Sequence, residues 1–109
     1  MESLKKNKEF KKVYNNGKSY VSRNLVLYVL KTPEKDFNKY GLSVSKKVGN
    51  AVVRNKLKRR IREIIREFEK NKGFKAYDIV FIARNPVAEL DYHELKRDIK
   101  KLYKKASLI

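Results

Sequence analysis

The sequence predicts an α/β (α+β) two-layer sandwich. It would carry about four strands in a mixed or mostly antiparallel sheet and three helices, in the order α-β-β-β-α-β-α. Three observations point there. Two apolar runs, "LVLYVLK" at Leu25–Lys31 and "YDIVFIA" at Tyr77–Ala83, are rich in β-branched and aromatic residues, as strands covered on both faces are. A third segment, "YGLSVS" at Tyr40–Ser45, alternates apolar and polar residues with the period of a half-buried strand. Between and around them, apolar residues recur at helical spacing, which supplies the layer that covers a sheet.

Taken in order, Asn7–Asn16 reads as a helix with Asn7 as N-cap and Gly17 just past its end. Phe10, Val13 and Tyr14 share one of its faces. Lys18–Ser22 is a short strand. In Leu25–Lys31, Leu25, Leu27 and Val29 point one way and Val26, Tyr28 and Leu30 the other. Thr32–Lys39, polar and carrying Pro33, is a loop. In Tyr40–Ser45, Leu42 and Val44 share one face, while Ser43 and Ser45 share the other. Gly49-Asn50 punctuates the chain, a helix begins between Asn50 and Val53, and it runs to about Lys72, where Gly73 ends it. "RNPVAELD" is a turn region with Pro86. From Tyr92, the residues Leu95, Ile99, Leu102, Tyr103 and Ala106 recur as on an amphipathic helix. No repeat, low-complexity tract or linker interrupts the 109 residues, so a single domain, 1–109, is expected.

Lys and Arg number 29 against 12 Asp and Glu, a net charge of +17. Such an excess repels itself and weakens the compact state, a cost that a polyanionic partner relieves. Nucleic acid stands first among such partners and an anionic membrane surface second; a chain that is merely very soluble is the remaining reading. With no cysteine, disulfides, thiolate metal sites and cysteine nucleophiles are excluded. That suits a reducing cytoplasm. The N-terminus "MESLKKNKEF" lacks the apolar core of a secretory signal. The longest apolar run, Leu25–Leu30, falls far short of the ~20 residues of a membrane span.

The excess is concentrated. Between Lys46 and Arg62 stand Lys46, Lys47, Arg54, Lys56, Lys58, Arg59, Arg60 and Arg62, and the first acid is Glu63. On a helical wheel Val53, Leu57, Ile61, Ile64, Ile65 and Phe68 fall within an arc of about 120°. Asn55, Lys58, Arg59, Arg62 and Arg66 fall opposite, with Arg54 at the boundary and Lys56 and Arg60 on the other flank. A solvated helix face mixes Glu with Lys at i, i+4, whereas Arg54, Lys58 and Arg62 stack like charges at that spacing. Arg54 and Lys56 are expected in the first turn, where the macrodipole disfavours cations. Guanidinium forks match phosphate oxygens. Asn55 offers an amide for a phosphate, a ribose hydroxyl or a metal-bound water; capping the helix is its alternative role.

Phe10, Tyr14 and Tyr28 are candidates for stacking on unpaired bases, with Ser43, Ser45, Lys46 and Lys47 beside them holding a single strand in a groove. The alternative is that the three aromatics are simply core. The one histidine, His93, has no evident partner and reads as a surface residue. Asp36, Asp78 and Asp91 are scattered, and no paired-carboxylate, HxxxH or Gly-rich phosphate motif occurs. No catalytic residue and no protein-held metal are expected, so any catalysis must draw its chemistry from another component.

The stretch "SVSKKVGNAVVRNKLKRRIRE" resembles the signature of the bacterial ribonuclease P protein family. Its Arg-Asn-x-x-(Lys/Arg)-Arg core is matched by Arg54, Asn55, Lys58 and Arg59. "EFKKVYNNGKSY", "LVLYVL" and "YDIVFIARNP" are similar to the family's first helix and first strand, its second strand and its fourth strand. Tyr14 stands where an aromatic, often Phe, is usual. The resemblance implies a fold similar to a domain of small-subunit ribosomal proteins, with a left-handed β-α-β crossover against the usual preference. It implies the protein component of an endoribonuclease that removes the 5′ leader from precursor tRNA. In that family the RNA subunit is the catalyst and holds Mg²⁺, while the protein binds the RNA subunit and the leader and lowers the Mg²⁺ requirement. Arg54, Asn55, Lys56, Lys58, Arg59, Arg62 and Arg66 would then face the RNA subunit. Phe10, Tyr14, Tyr28, Ser43, Ser45, Lys46 and Lys47 would serve the leader groove. No obligate protein partner and no membrane are implied. A structural RNA-binding protein without catalytic association remains the alternative.

Overall fold

The two apolar runs become neighbouring strands in the middle of the sheet. A computed structural model describes residues 2–85 and 90–109. Its elements are β1 (Glu2–Ser3), α1 (Asn7–Asn16), β2 (Lys18–Val21), β3 (Leu25–Lys31), β4 (Lys39–Ser43), α2 (Ala51–Lys72), β5 (Tyr77–Ala83) and α3 (Tyr92–Lys105). The sheet runs β1-β4-β5-β3-β2. β3 pairs antiparallel with β5, from Leu25 opposite Ala83 to Lys31 opposite Tyr77, and β2 pairs antiparallel with β3. β4 lies parallel to β5, so β4-α2-β5 is a β-α-β unit. The sheet is therefore mixed, as the alternation and the apolar runs predict.

The main core lies between one sheet face and the helix pair α2 and α3. Leu25, Leu27 and Val29 of β3 meet Ile79 and Phe81 of β5, with Leu57, Ile61, Ile64, Ile65 and Phe68 of α2 and Leu95, Ile99, Leu102 and Tyr103 of α3 above them. Burying side chains of this size contributes about 1.5–3 kcal/mol each. The other face is more thinly covered. There α1 packs Val13 against Val80, with Phe10, Tyr14, Tyr28 and Leu30 half-buried around them.

A polar lock joins the 32–38 loop to both layers. The buried Asn38 amide donates to the Phe74 carbonyl at 2.8 Å and accepts from the Tyr77 N–H at 3.0 Å. The Tyr40 hydroxyl donates to Glu69 Oε1 at 2.8 Å. Burial first, then the Tyr103 hydroxyl and Glu69, hold the Tyr40 hydroxyl well above the usual tyrosine range.

Several expectations need correction. The sheet has five strands rather than about four, because Glu2–Ser3 pairs parallel with Lys39 and Tyr40; two residues are too few to show a period. Asn7 is not the N-cap of α1. That position is Lys6, and the free amides of Lys5 and Lys6 donate instead to Glu9 Oε1, at 3.2 and 3.1 Å. Gly17 stands just past the helix as expected, with extended backbone; it is needed for room, since a Cβ there would lie 2.7 Å from the carbonyl oxygens of both Val13 and Val29. β4 starts at Lys39 and ends at Ser43, so Ser45 lies in a turn, its carbonyl accepting from Val48 at 3.1 Å. The turn predicted around Pro86 lies largely outside the described residues. α2 begins as expected, with Asn50 Oδ1 accepting from the Val53 N–H at 3.0 Å, and Gly73 ends it at φ 67°.

Candidate nucleic-acid interface

The groove lies between α1, which packs on β3 and β5, and the neighbouring strand β4. Asn7, Phe10, Lys11 and Tyr14 recur at i, i+3, i+4 and i+7, one face of a helix. With Leu42 and Ser43 of β4 they line a concavity of about 370 Å³. Gly41 is its floor. A Cβ there would stand 2.5 Å from Phe10 Cε1, so the absent side chain lets the Phe10 ring rest on the backbone. The Phe10 and Tyr14 rings lie 6.4 Å apart, and Tyr14 meets Tyr28 of β3 edge-on at 4.9 Å. Burial raises the Tyr14 hydroxyl's pKa above its usual value, Tyr28 adds to this, and a hydrogen bond to Ser43 opposes it. The structure thus brings together Phe10, Tyr14, Tyr28 and Ser43. It also adds Asn7 and Lys11, which the helical spacing from Phe10 and Tyr14 would have identified. Ser45, Lys46 and Lys47 are not part of this concavity; they lie on the turn that leads from β4 into α2, all three exposed.

One carboxylate fixes the groove wall. Glu9 closes the start of α1 and its other oxygen meets Lys39 Nζ of β4 at 3.3 Å. The two backbone amides, with the Lys39 ammonium, draw its pKa from 4.5 to about 2. A carboxylate depressed in the folded state stabilises fully above its unfolded value and loses that contribution as pH falls. We expect α1 to loosen as pH drops from about 4.5 through about 2. Amide exchange of α1 measured across that range beside Glu9→Gln would show it, since the variant should lack the pH step.

The second part of the surface is the N-terminal half of α2. Leu57, Ile61, Ile64, Ile65 and Phe68 are buried as the wheel predicts, although Val53 is only half-buried. Asn55, Lys56, Arg59, Arg62 and Arg66 are exposed; Arg54, Lys58 and Arg60 are half-buried. Asn55 does not cap the helix, because Asn50 does. The first turn is Ala51–Arg54, so Arg54 ends it and Lys56 belongs to the second turn. The Arg54 Nε is shielded from solvent without a protein acceptor.

The acids of α2 are used elsewhere. Glu67 takes Lys96 Nζ at 2.6 Å and the Tyr92 hydroxyl at 2.8 Å, both from α3, and these hydrogen bonds lower its pKa. Glu69 belongs to the Asn38 and Tyr40 lock. Among the described residues, no cation from Lys46 to Arg66 lies within salt-bridge distance of an acid. The cationic half is left unneutralised. His93 is exposed in the first turn of α3, its ring edge-on to Tyr92 at 5.8 Å.

A half-open aromatic groove, joined by a short cationic turn to an unneutralised basic helix, defines an RNA-binding α/β domain. Comparison with known proteins makes the assignment specific. The family model described as Ribonuclease P matches residues 1–107. The ribonuclease P protein component of Clostridium botulinum (strain Alaska E43 / Type E3) is 51% identical over 111 residues, covering 96% of this chain and 88% of that protein. The solved RNase P protein of Staphylococcus aureus superposes with a TM-score of 0.90 at 37% identity, over 99% of this chain and 97% of that one. The RNase P protein of Thermotoga maritima superposes at 0.81 with 33% identity, over 96% and 97%. The chain belongs to the ribonuclease P protein family, the protein subunit of a ribonucleoprotein endoribonuclease in tRNA 5′ processing. Among the described residues, no helix is long and apolar enough to cross a membrane.

Proposed function

We propose that the cationic half of α2 docks on the catalytic RNA subunit of ribonuclease P, and that the groove between α1 and β4 holds the 5′ leader of precursor tRNA. The observation that carries this is the continuity of the two surfaces. Ser43 ends β4 in the groove, and the next residues of the chain, through Lys46 and Lys47, enter α2 at Ala51. A leader in the groove is thereby held next to the RNA bound by α2.

The roles follow from the chemistry. Arg59, Arg62 and Arg66 present exposed guanidinium forks to phosphates, and Asn55 adds an amide beside them. Phe10, Tyr14 and Tyr28 offer ring surface to unstacked bases, a sequence-tolerant contact suited to varied leaders. Lys11, Lys46 and Lys47 attend the backbone of the strand. The RNA subunit performs the hydrolysis with Mg²⁺ that it holds itself. The protein's cations share the work of neutralising crowded phosphates, which lowers the Mg²⁺ needed. The complex works in the cytoplasm, without an obligate further protein.

The test is leader dependence. Affinity of the protein–RNA complex is measured for a precursor tRNA and for the same tRNA lacking its leader. The protein should raise affinity for the precursor alone. Equal affinities with and without a leader would reduce the chain to a structural RNA binder.

A further inference from the structure

The α2 face does not exhaust the charge. Lys46, Lys47, Arg54, Lys56, Lys58, Arg59, Arg60, Arg62 and Arg66 leave twenty of the 29 cations elsewhere. Four of these form a second ordered row. On α3, Leu95, Ile99, Leu102 and Tyr103 face the core, and Lys96 turns to Glu67 of α2. Asp98 and Lys105 turn to the β2 edge, where the Ser22 hydroxyl donates to Asp98 at 2.7 Å and Lys105 Nζ donates to the Val21 carbonyl at 3.1 Å. The cations that remain outward are Arg97, Lys100, Lys101 and Lys104, all exposed; His93 and Glu94, also exposed, belong to the first turn, where Glu94 accepts from the Asp91 N–H. The four cations stand at i, i+3, i+4 and i+7, and none pairs with an acid among the described residues. Like charges at i, i+4 destabilise a helix. The macrodipole rewards cations only in the last turn, which accounts for Lys104 but not for Arg97, Lys100 or Lys101.

The row ends at a concavity. Where α3 stops, Asn16, Lys18, Tyr20, Lys31, Tyr77 and Ser107 surround a recess of about 450 Å³. Lys18 and Lys31 are exposed at its rim, and Tyr20 and Tyr77 are half-buried in its walls. The Asn16 Nδ2 donates to the Lys12 carbonyl at 3.0 Å, leaving its amide oxygen free to accept. Ser107 sits at φ 58°, where glycine would close the helix with less strain, and it adds a hydroxyl at the edge. A few hundred cubic ångströms is ligand-sized. Rings, ammonium groups and an amide acceptor together are what an unpaired nucleotide is recognised by. α3 packs on the sheet face opposite α1, and the recess at its end shares no lining residue with the groove, so the two are separate.

We propose that α3 is a second RNA-binding surface, with the phosphate backbone running along Arg97, Lys100, Lys101 and Lys104 and one unpaired nucleotide seated in the recess at the helix end. The inference rests on the ribonucleoprotein reading and adds a second RNA-facing surface to it. The protein would then grip RNA from both sheet faces, which holds the particle together beyond what the α2 face alone provides.

The chain has no cysteine, so one introduced thiol can be addressed alone. Ser107→Cys carrying a photo-crosslinker is assembled with a ribonuclease P RNA and precursor tRNA, and the crosslinked species are identified. Separately, the triple variant Arg97→Ala, Lys100→Ala, Lys101→Ala is titrated with the complex's RNA across a salt series beside Arg59→Ala, Arg62→Ala. We expect a crosslink to a defined RNA nucleotide, and a salt slope for the triple variant lower by roughly 0.7–0.9 for every phosphate it no longer neutralises. Crosslinking only to protein, or no RNA crosslink, overturns the proposal. So does an unchanged slope for the triple variant while the α2 variant's slope falls. If both slopes stay unchanged, the ribonucleoprotein reading fails and this inference falls with it.

Discussion

Arg59→Ala together with Arg62→Ala is expected to weaken binding to a bacterial ribonuclease P RNA and to flatten its salt dependence. The log–log slope should fall by roughly 0.7–0.9 for each phosphate left without its guanidinium, since every phosphate neutralised by the protein releases condensed counterions. Both side chains are exposed and neither pairs with an acid among the described residues, so the fold has little to lose. Their removal should leave stability within about 0.5 kcal/mol, as surface substitutions do. Relieving like-charge repulsion along α2 would work in the stabilising direction. Affinity measured over a series of salt concentrations, with a denaturation midpoint beside it, separates the two effects. An unchanged slope would place this face away from the RNA.

Tyr28→Ala is expected to cost about 1–3 kcal/mol in binding a leader-bearing tRNA, the range for losing one base–aromatic stack. Leaderless tRNA should be unaffected. Tyr28 is half-buried and braces Tyr14 at 4.9 Å, so its loss also frees the Tyr14 ring that shapes the groove wall. Tyr28→Phe keeps the ring and should retain most of the affinity, which separates stacking from the hydroxyl's hydrogen bonding. Equal loss for precursor and leaderless tRNA would remove Tyr28 from the leader site.

Both predictions rest on residues that periodicity marks out. The buried stripe of α2 and its cationic back follow from a 3.6-residue repeat long enough to fix the face. β3 and β5 follow from apolar runs, and each strand spans the residues expected of it. The sequence misleads where the cause is spatial. Nothing in the spacing of Gly17 shows that Val29 of a neighbouring strand will come within 2.7 Å of a Cβ there. β1 is stabilised by pairing with β4, not by a pattern of its own. Asn7 loses the cap to Lys6 because Glu9 reaches back to the free amides, a contest among neighbours that composition does not decide. The groove is half readable. Phe10, Tyr14 and Ser43 stand out by type, and helical spacing extends the first two to Asn7 and Lys11, whereas only the folded chain shows Gly41 beneath the Phe10 ring. The polar lock at Asn38 links residues 36 positions apart, and only the folded chain shows it.

The central claim is that this chain assists a catalytic RNA. The direct measurement is cleavage of a 5′-extended precursor tRNA at low Mg²⁺ by a bacterial ribonuclease P RNA, with the protein present, absent, and alone. Cleavage at the mature 5′ end that requires both components is the expected result. Cleavage by the protein alone, or no stimulation of the RNA despite tight binding, would contradict it.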